Sequence, residues 1–495
     1  MKISKEAYLA ALLSNIRILV SPESWLRRHK DLLNRYVDVG AVCSLLREAD
    51  RGILGRASAL SGLETAPASS NIRQSLQSVF CRLRVSKDDD TQAQYYPYCP
   101  LTLTAPFPGA PCRELPDDVL VPLDRELETA AQNPPKSADD FFILLDTLLK
   151  KHLWCVPAES GPGVDVSLYD KMRSTSAIAV CLEDAGGSQE PFLLLAADFS
   201  GIQNYIFAVA RTNVKGVAKR LRARSSLVDA MIQSLAYQIC EKTEVPYGNI
   251  LMLTGGKFYI LLPNKSSVLS QLNAVRQTLE EDLFQRFYGD ISVNLAWVTF
   301  GDEGLIDYSA TITELSRRLR EEKSRAFRSV LTDEAGWRED RFPLVNDLAG
   351  KHGCPSCGRR LMDKRLEICP DCRRQEELGG KLAVASQLWF SREGGEFQLW
   401  PRCFLSFSRS GARGPLIRVE QLNKWEMWEK RESKTLCRSL AWRASEKTRK
   451  KITKNVGNIN GKICWSRILK PAGKMRSGLV TLHISRSRII VSIFA

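Results

Sequence analysis

The sequence predicts an α+β protein: a helical N-terminal region, a sheet domain with helices on one face, and a cysteine segment built to hold a metal. Three observations predict it. Apolar residues recur at three- and four-residue spacing up to about residue 90, strand and helix patterns alternate from about 174 to 340, and two Cys-x-x-Cys pairs follow. At 495 residues the chain is long enough for about three domains. Its 44% hydrophobic content suits buried cores.

The N-terminal stretch MKISKEAYLAALLSNIRILVSPES reads as an amphipathic helix. It lacks the small-residue cleavage site of a signal peptide. VDVGAVCSLLREADRGILGRASAL continues the helical pattern, and residues 1–90 form one region. Residues 91–173 follow a polar break, SKDDDTQAQ, as a linker and helical segment. Within them YYPYCPLTLTAPFPGAPCRELPDD reads as extended and 138–158 as an amphipathic helix.

The sheet domain, 174–340, opens with two expected strands, SAIAVCLED and PFLLLAADFS, joined by AGGSQ. A helix from about Lys215 to Lys242 comes next, then the strands NILMLT and FYILLP around Gly255-Gly256. The helix SSVLSQLNAVRQTLEEDLFQRFYG, the strand ISVNLAWVTF and the basic helix TITELSRRLREEKSRAFRSVL complete it. Residues 341–400 are expected to carry the metal, after a helical start, and 401–495 are a basic tail.

Charge and cysteine usage narrow the function classes. The net charge of +15 is not spread evenly: residues 401–495 hold 22 basic and 5 acidic side chains, whereas the first 400 residues are close to neutral. The 14 cysteines are mostly single, which suits a reducing, cytoplasmic compartment. No apolar run reaches the roughly 18 residues of a membrane span, so no membrane partner is expected.

CPSCGRRLMDKRLEICPDC places Cys354, Cys357, Cys369 and Cys372 in two tight turns. Each turn presents two thiolates on one side, and two such turns close a tetrahedron around zinc. Four thiolates leave no open coordination position, so the zinc is structural.

Three pieces of the sheet domain carry candidate chemistry. AADFSGIQNYIF puts Asp198 at the end of an apolar strand, where it suits either a catalytic metal, as in a polymerase palm, or the cap of the next helix. LMLTGGKFYILLP makes a glycine hairpin that lets a phosphate approach the backbone, or is a plain turn. GVAKRLRARSSLVDAMIQSLA crowds Lys219, Arg220, Arg222 and Arg224 at a helix start, as a solvated face or as phosphate contacts.

Taken in order, DFSGIQNYIF, LRARSSLVDAM, TGGKFYILLPN and the two Cys-x-x-Cys pairs resemble the large, polymerase-like subunit of type III CRISPR effector complexes. The Csm form, subtype III-A, is the nearest match. LLREADRGILGR, LQSVF and QYYPYCPLTL extend the resemblance to about residues 40–400. It implies a ferredoxin-like palm that is a degenerate copy of a second, catalytic palm, behind an HD-type nuclease domain. It further implies ATP, with Mg²⁺ or Mn²⁺, beside Asp198, Ser200, Gly201, Gln203, Thr254, Gly255, Gly256, Lys257, Arg222 and Arg224. Implied partners are other Csm-type subunits, crRNA and target RNA, with single-stranded DNA possible.

The chain departs from that family at both ends. It has no His-Asp dipeptide, and its four histidines, His29, His152, His352 and His483, are scattered, so residues 1–90 read as a remnant of the nuclease domain. No Gly-Gly-Asp-Asp hairpin occurs, and the second palm is missing. Gly301-Asp302-Glu303-Gly304 is expected to be a loop. The acid-free stretch from Lys447 favours a disrupted reading frame over a basic arm that binds RNA or DNA. The expected function is a scaffold subunit that binds nucleotide and docks on a crRNA complex, with no catalytic residue assigned. The alternatives are an active nuclease and cyclic oligoadenylate synthase, or a standalone nucleic-acid binder.

Overall fold

The computed structural model describes residues 5–48, 52–62, 74–82, 92–102, 107–109, 114–159, 164–207, 215–334, 336–341, 351–358, 360–363, 365–385, 387–392, 394–408, 416–418, 480–485 and 488–493. The chain divides into two units, Met1–Tyr205 with Val228–Leu344, and Ile206–Leu227 with Val345–Ala495.

The first unit begins with α1 (Lys5–Leu13), α2 (Pro22–Arg28), α3 (Lys30–Leu33), α4 (Val39–Arg47), α5 (Gly52–Leu60), α6 (Val121–Gln132), α7 (Ala138–Leu153) and α8 (Leu168–Asp184). Short polar side chains start several of these helices. Ser21, Asp38, Ser137 and Ser167 accept first-turn amides at 3.4, 2.8, 3.1 and 3.1 Å, satisfying donors that a helix start leaves open. Apolar and aromatic residues fill the bundle: Trp25 and Leu149 are fully buried, Tyr36 stacks on Phe141, and Tyr8 meets Phe142 edge-on.

Two sequence expectations fail here for one reason. SAIAVCLED is the end of α8 rather than a strand, and α1 is not amphipathic, because Tyr8–Leu13 and Ser176–Leu182 are buried at every position. A helix enclosed on all sides loses the polar face that marks its period, and its apolar run then reads like a strand. The boundary expected near Ser174 therefore falls inside α8.

The sheet follows: β1 (Phe192–Ser200), α9 (Ile202–Ile206), α10 (Val217–Lys242), β2 (Ile250–Thr254), β3 (Lys257–Pro263), α11 (Ser266–Phe287) and β4 (Ser292–Phe300). Apart from the short α9, this is a β-α-β-β-α-β run with antiparallel strands in the order β2-β3-β1-β4. Central β1 runs from Phe192↔Pro263 to Asp198↔Lys257 against β3, and to Ser200↔Ser292 against β4. It is buried at every position from Phe192 to Phe199. Successive strand residues face opposite sides, so this sheet is covered on both faces, not one.

The unit closes with α12 (Asp302–Ile306), α13 (Tyr308–Lys323), α14 (Arg328–Leu331), β5 (Thr332–Asp333) and β6 (Gly336–Trp337). The expected loop at Gly301–Gly304 is instead the start of α12, and both Asp302 oxygens accept from Arg56, at 3.0 and 2.7 Å.

The second unit takes the beginning of α10 and adds β7 (Lys351–Gly353), β8 (Leu361–Asp363), α15 (Pro370–Leu382), β9 (Gln387–Ser391), β10 (Phe397–Trp400), β11 (Cys403–Ser408), β12 (Leu416–Arg418), β13 (Val480–Ser485) and β14 (Arg488–Ile493). Ala223 of α10 packs with Leu378 and Leu382 of α15, and Leu227, Phe397 and Phe407 surround them. Strands β10-β11-β9-β12 form one sheet, and β13 pairs with β14. The boundary expected at residue 400 falls inside the β10–β11 hairpin, where Trp400 pairs with Cys403 and is fully buried. The helical start expected of the metal segment, at 342–350, and most of the basic tail lie outside the described residues. No described helix is long and apolar enough to cross a membrane.

Candidate functional site

The end of β1 and the β2–β3 turn bring the sheet-domain candidates together. The turn is folded onto the strand end by Phe199 N–H, which donates to Gly256 O at 2.8 Å. Two glycines make the approach possible. Gly201 has φ +85°, and a Cβ there would lie 2.1 Å from the Asp290 carbonyl oxygen. Gly256 has φ +94°, and its Cβ would meet Ile202 Cδ1 at 2.5 Å. Any L side chain at either place is strained by both backbone and space.

Asp198 is 5% exposed. Lys257 Nζ lies 3.5 Å from its Oδ1, and Lys323 from α13 contacts Oδ2. The carboxylate thus faces two ammonium groups, not the amides of α9, which removes the helix-cap alternative. Asn294 of β4 donates Nδ2–H to the Asp198 backbone carbonyl at 3.1 Å and to Ser200 Oγ at 3.0 Å, tying the two residues in place. Thr254 is buried, and its hydroxyl has no hydrogen-bond partner. Gly255 and Gln203 are exposed beside this turn and strand end. The Asp198 charge also helps hold the buried Tyr259 phenol above its ordinary pKa, after burial itself. A divalent cation in a palm is held by carboxylates that have lone pairs to spare. Both Asp198 oxygens already face cations, so this carboxylate does not fit the metal of the expected Mg²⁺ or Mn²⁺ nucleotide.

The α10 arginines belong to the second unit. Arg224 is 3% exposed and donates Nε–H to Gln375 Oε1 at 2.8 Å, with Nη2 3.9 Å from Cys372 Sγ. Arg222 donates to Gly379 O at 3.1 Å, and buried Arg220 pairs with Glu376. Helix α10 meets α15 closely enough that a Cβ on Gly379 would lie 2.0 Å from Lys219 O. Within the second unit the arginines therefore dock α15.

The four cysteines converge as their spacing predicts. Their sulfurs lie within 4.8 Å of one another, all four are buried, and Cys357 Sγ is 3.9 Å from Cys369 Sγ. Tetrahedral zinc with Zn–S near 2.3 Å sets sulfurs about 3.8 Å apart, so the donor set fits that ion. The β7–β8 hairpin carries the first pair, closed by Cys354 N–H to Arg360 O at 2.8 Å and by Gly358 at φ +69°. Cys369 caps α15, and its amide donates to Cys354 Sγ at 3.3 Å. Amide and guanidinium donors lower the charge of a thiolate cluster and orient its sulfurs.

Sequence reasoning missed Lys323, Asn294 and a buried histidine in contact with a carboxylate. Asn294 stands between Val293 and Leu295 in the buried part of β4, and a polar residue there is a readable signal. His29 has no neighbour in sequence to mark it. Its Nε2 lies 2.9 Å from Asp124 Oδ1, which also accepts from Trp25 Nε1 at 3.0 Å, while Oδ2 pairs with Arg28. Burial alone would raise the Asp124 pKa, but His29 and Arg28 hold it below its ordinary value.

Comparison with known proteins bears on this geometry directly. Residues 191–335, which include the sheet and Lys323, match the family model described as Csm1 subunit domain B. Over 267 residues, 48% of the chain, it is 30% identical to a CRISPR system single-strand-specific deoxyribonuclease Cas10/Csm1 (subtype III-A) of Thermococcus onnurineus. The counterpart of Enterococcus italicus is 28% identical over 254 residues. The chain spans about a third of the length of these relatives, 32% and 31%. The solved structure of an apo Csm1–Csm4 cassette superposes with TM-score 0.60 at 20% identity, covering 83% of this chain and 56% of the solved one. A Csm1–Csm4 cassette in complex with one ATP gives TM-score 0.59. Through residues 191–335 the chain is thus similar to Csm1 subunit domain B, and in fold it is similar to the Csm1–Csm4 cassettes.

Proposed function

We propose that the chain serves as a large subunit of a type III-A CRISPR effector complex, binding nucleotide at a degenerate, ferredoxin-like palm and docking on other Csm subunits. The observation that carries this reading is the union of the domain B match with the glycine hairpin folded onto the Asp198 strand end. Solved neighbours are cassettes of Csm1 with Csm4, including one with ATP. In this reading Cys354, Cys357, Cys369 and Cys372 hold a structural zinc ion, and Arg224 steadies Cys372. No catalytic role falls to Asp198, because one carboxylate cannot organise a two-metal reaction. The crRNA, target RNA and any single-stranded DNA would be met through the assembled complex.

The test is co-expression of the full chain with a Csm4-type subunit from the same genome, followed by size-exclusion chromatography and ATP titration. Co-elution and saturable ATP binding are expected. A chain that elutes alone and takes up no ATP sinks the reading. Release of cyclic oligoadenylate from ATP, Mn²⁺ and target RNA would replace the scaffold role with an active synthase.

A further inference from the structure

We propose that this palm binds the phosphates of a nucleoside triphosphate without a divalent cation, with Lys257 and Lys323 standing where a catalytic palm holds its metal. The inference rests on the nucleotide-binding reading above and specifies how that binding is achieved.

Charge is the first argument. Asp198 contributes −1 and the two lysines +2, so the strand end is net positive with no ion added. Each Asp198 oxygen already faces an ammonium group. A dication placed there would have to displace at least one lysine and would still be repelled by the other. Among the described residues, the four cysteines are the one grouping of three or more His, Cys, Asp or Glu side chains close enough to hold an ion.

Geometry is the second. The side chains of Lys257 and Lys323 are 33% and 37% exposed, while that of Asp198 is 7% exposed. The ammonium groups therefore lie between the buried carboxylate and solvent. Each carries three N–H donors, and contact with Asp198 does not use them all. Lys257 also directly follows the Gly255-Gly256 turn, whose missing side chains let phosphate oxygens reach the backbone. Asp198 is thus a positioning residue: it holds two cations together that would otherwise repel one another.

The experiment is calorimetric titration of ATP into the full chain at fixed ionic strength, in EDTA, Mg²⁺ and Mn²⁺. Binding in EDTA is expected to be as tight as with either metal, or tighter, since free ATP carries more charge. Lys323→Ala should weaken it about tenfold, the size of one charge-assisted hydrogen bond. Should that variant fail to fold by circular dichroism, Lys257→Gln takes its place, with the same expectation. Asp198→Asn discriminates by metal dependence. Loss of a positioning charge should change ATP affinity by the same factor in EDTA, Mg²⁺ and Mn²⁺, whereas loss of a metal ligand would abolish only metal-dependent binding. Binding that requires Mg²⁺ or Mn²⁺ and disappears in Asp198→Asn overturns the inference while sparing the nucleotide reading. Absence of ATP binding under every condition overturns both.

Discussion

The Asp198 site and the cysteine site solve opposite charge problems. At Asp198 one buried carboxylate faces two lysines, and the group is net positive as it stands. At the cysteines four sulfurs share a space of less than 5 Å, with the Arg224 guanidinium beside Cys372. Ionised, that cluster is strongly negative and needs a cation at its centre. In our proposal the first arrangement excludes divalent metal and the second holds it, although one α10 carries arginines into the second unit and continues through the first. A resemblance to metal-using enzymes therefore does not say where the metal goes. The charges within reach of each donor do.

The largest expected effect comes from breaking the negative site. Cys372→Ser should reduce bound zinc from one equivalent to near none by elemental analysis, and should expose 351–385 to limited proteolysis. Structural zinc commonly contributes on the order of 10 kcal/mol to the fold that holds it. EDTA treatment of the unaltered chain should give the same proteolytic pattern. Intact protection without zinc would mean that α15 and the β7–β8 hairpin hold themselves together.

Next comes the reciprocal break. Lys257→Ala with Lys323→Ala leaves Asp198 buried and uncompensated, which should cost about 2 kcal/mol in urea unfolding, less than a fully enclosed pair because both lysines reach solvent. Adding Asp198→Asn should restore most of that loss. Failure of the third substitution to rescue would mean that the lysines act by packing rather than by charge.

Arg224 sharpens the comparison because it brings a guanidinium to the negative site, 3.9 Å from Cys372 Sγ. Arg224→Ala should speed zinc release to a chelator about tenfold, in the range seen when partners of metal ligands are removed. Arg224→Lys should recover part of it, having charge but no planar fork. An unchanged release rate would assign Arg224 solely to docking α15.

The smallest effect lies outside both sites and supplies the baseline for acid experiments on them. Burial pushes the His152 pKa below its ordinary value, with Glu126 opposing. The unfolded chain then takes up a proton that the folded chain refuses. Stability from this group is complete above pH 6.5 and falls as pH drops towards the folded-state pKa. His152→Gln should flatten that slope between pH 7.5 and 5.5 in urea titrations, and an unaltered slope would point to other groups.

How much of this is readable in the sequence depends on how far apart the partners are. The cysteine site is legible because two turns fix its ligands within one short segment. The Asp198 strand end and glycine hairpin are legible too, since apolar strands and Gly-Gly turns are local patterns. Lys323 is not, because on α13 it looks like any solvated basic residue until the helix packs on β1. Arg224 misleads for the same reason: its partner Gln375 is 151 residues away. The hidden helix end at SAIAVCLED shows a second limit, that complete burial erases the period by which a helix is known.

The order of synthesis gives the long-range docking of Arg224 a cost in time. At about 5–20 residues per second, the 151 residues between Arg224 and Gln375 take roughly 8–30 s to emerge. For that interval the Arg220–Arg224 stretch has no α15 to bury it. The nascent chain therefore displays a row of arginines, together with Ala223 and Leu227, that the finished molecule hides. The cell meets this basic, sticky surface before any zinc can be bound, and how it is shielded on the ribosome bears on how much of the chain reaches its folded form.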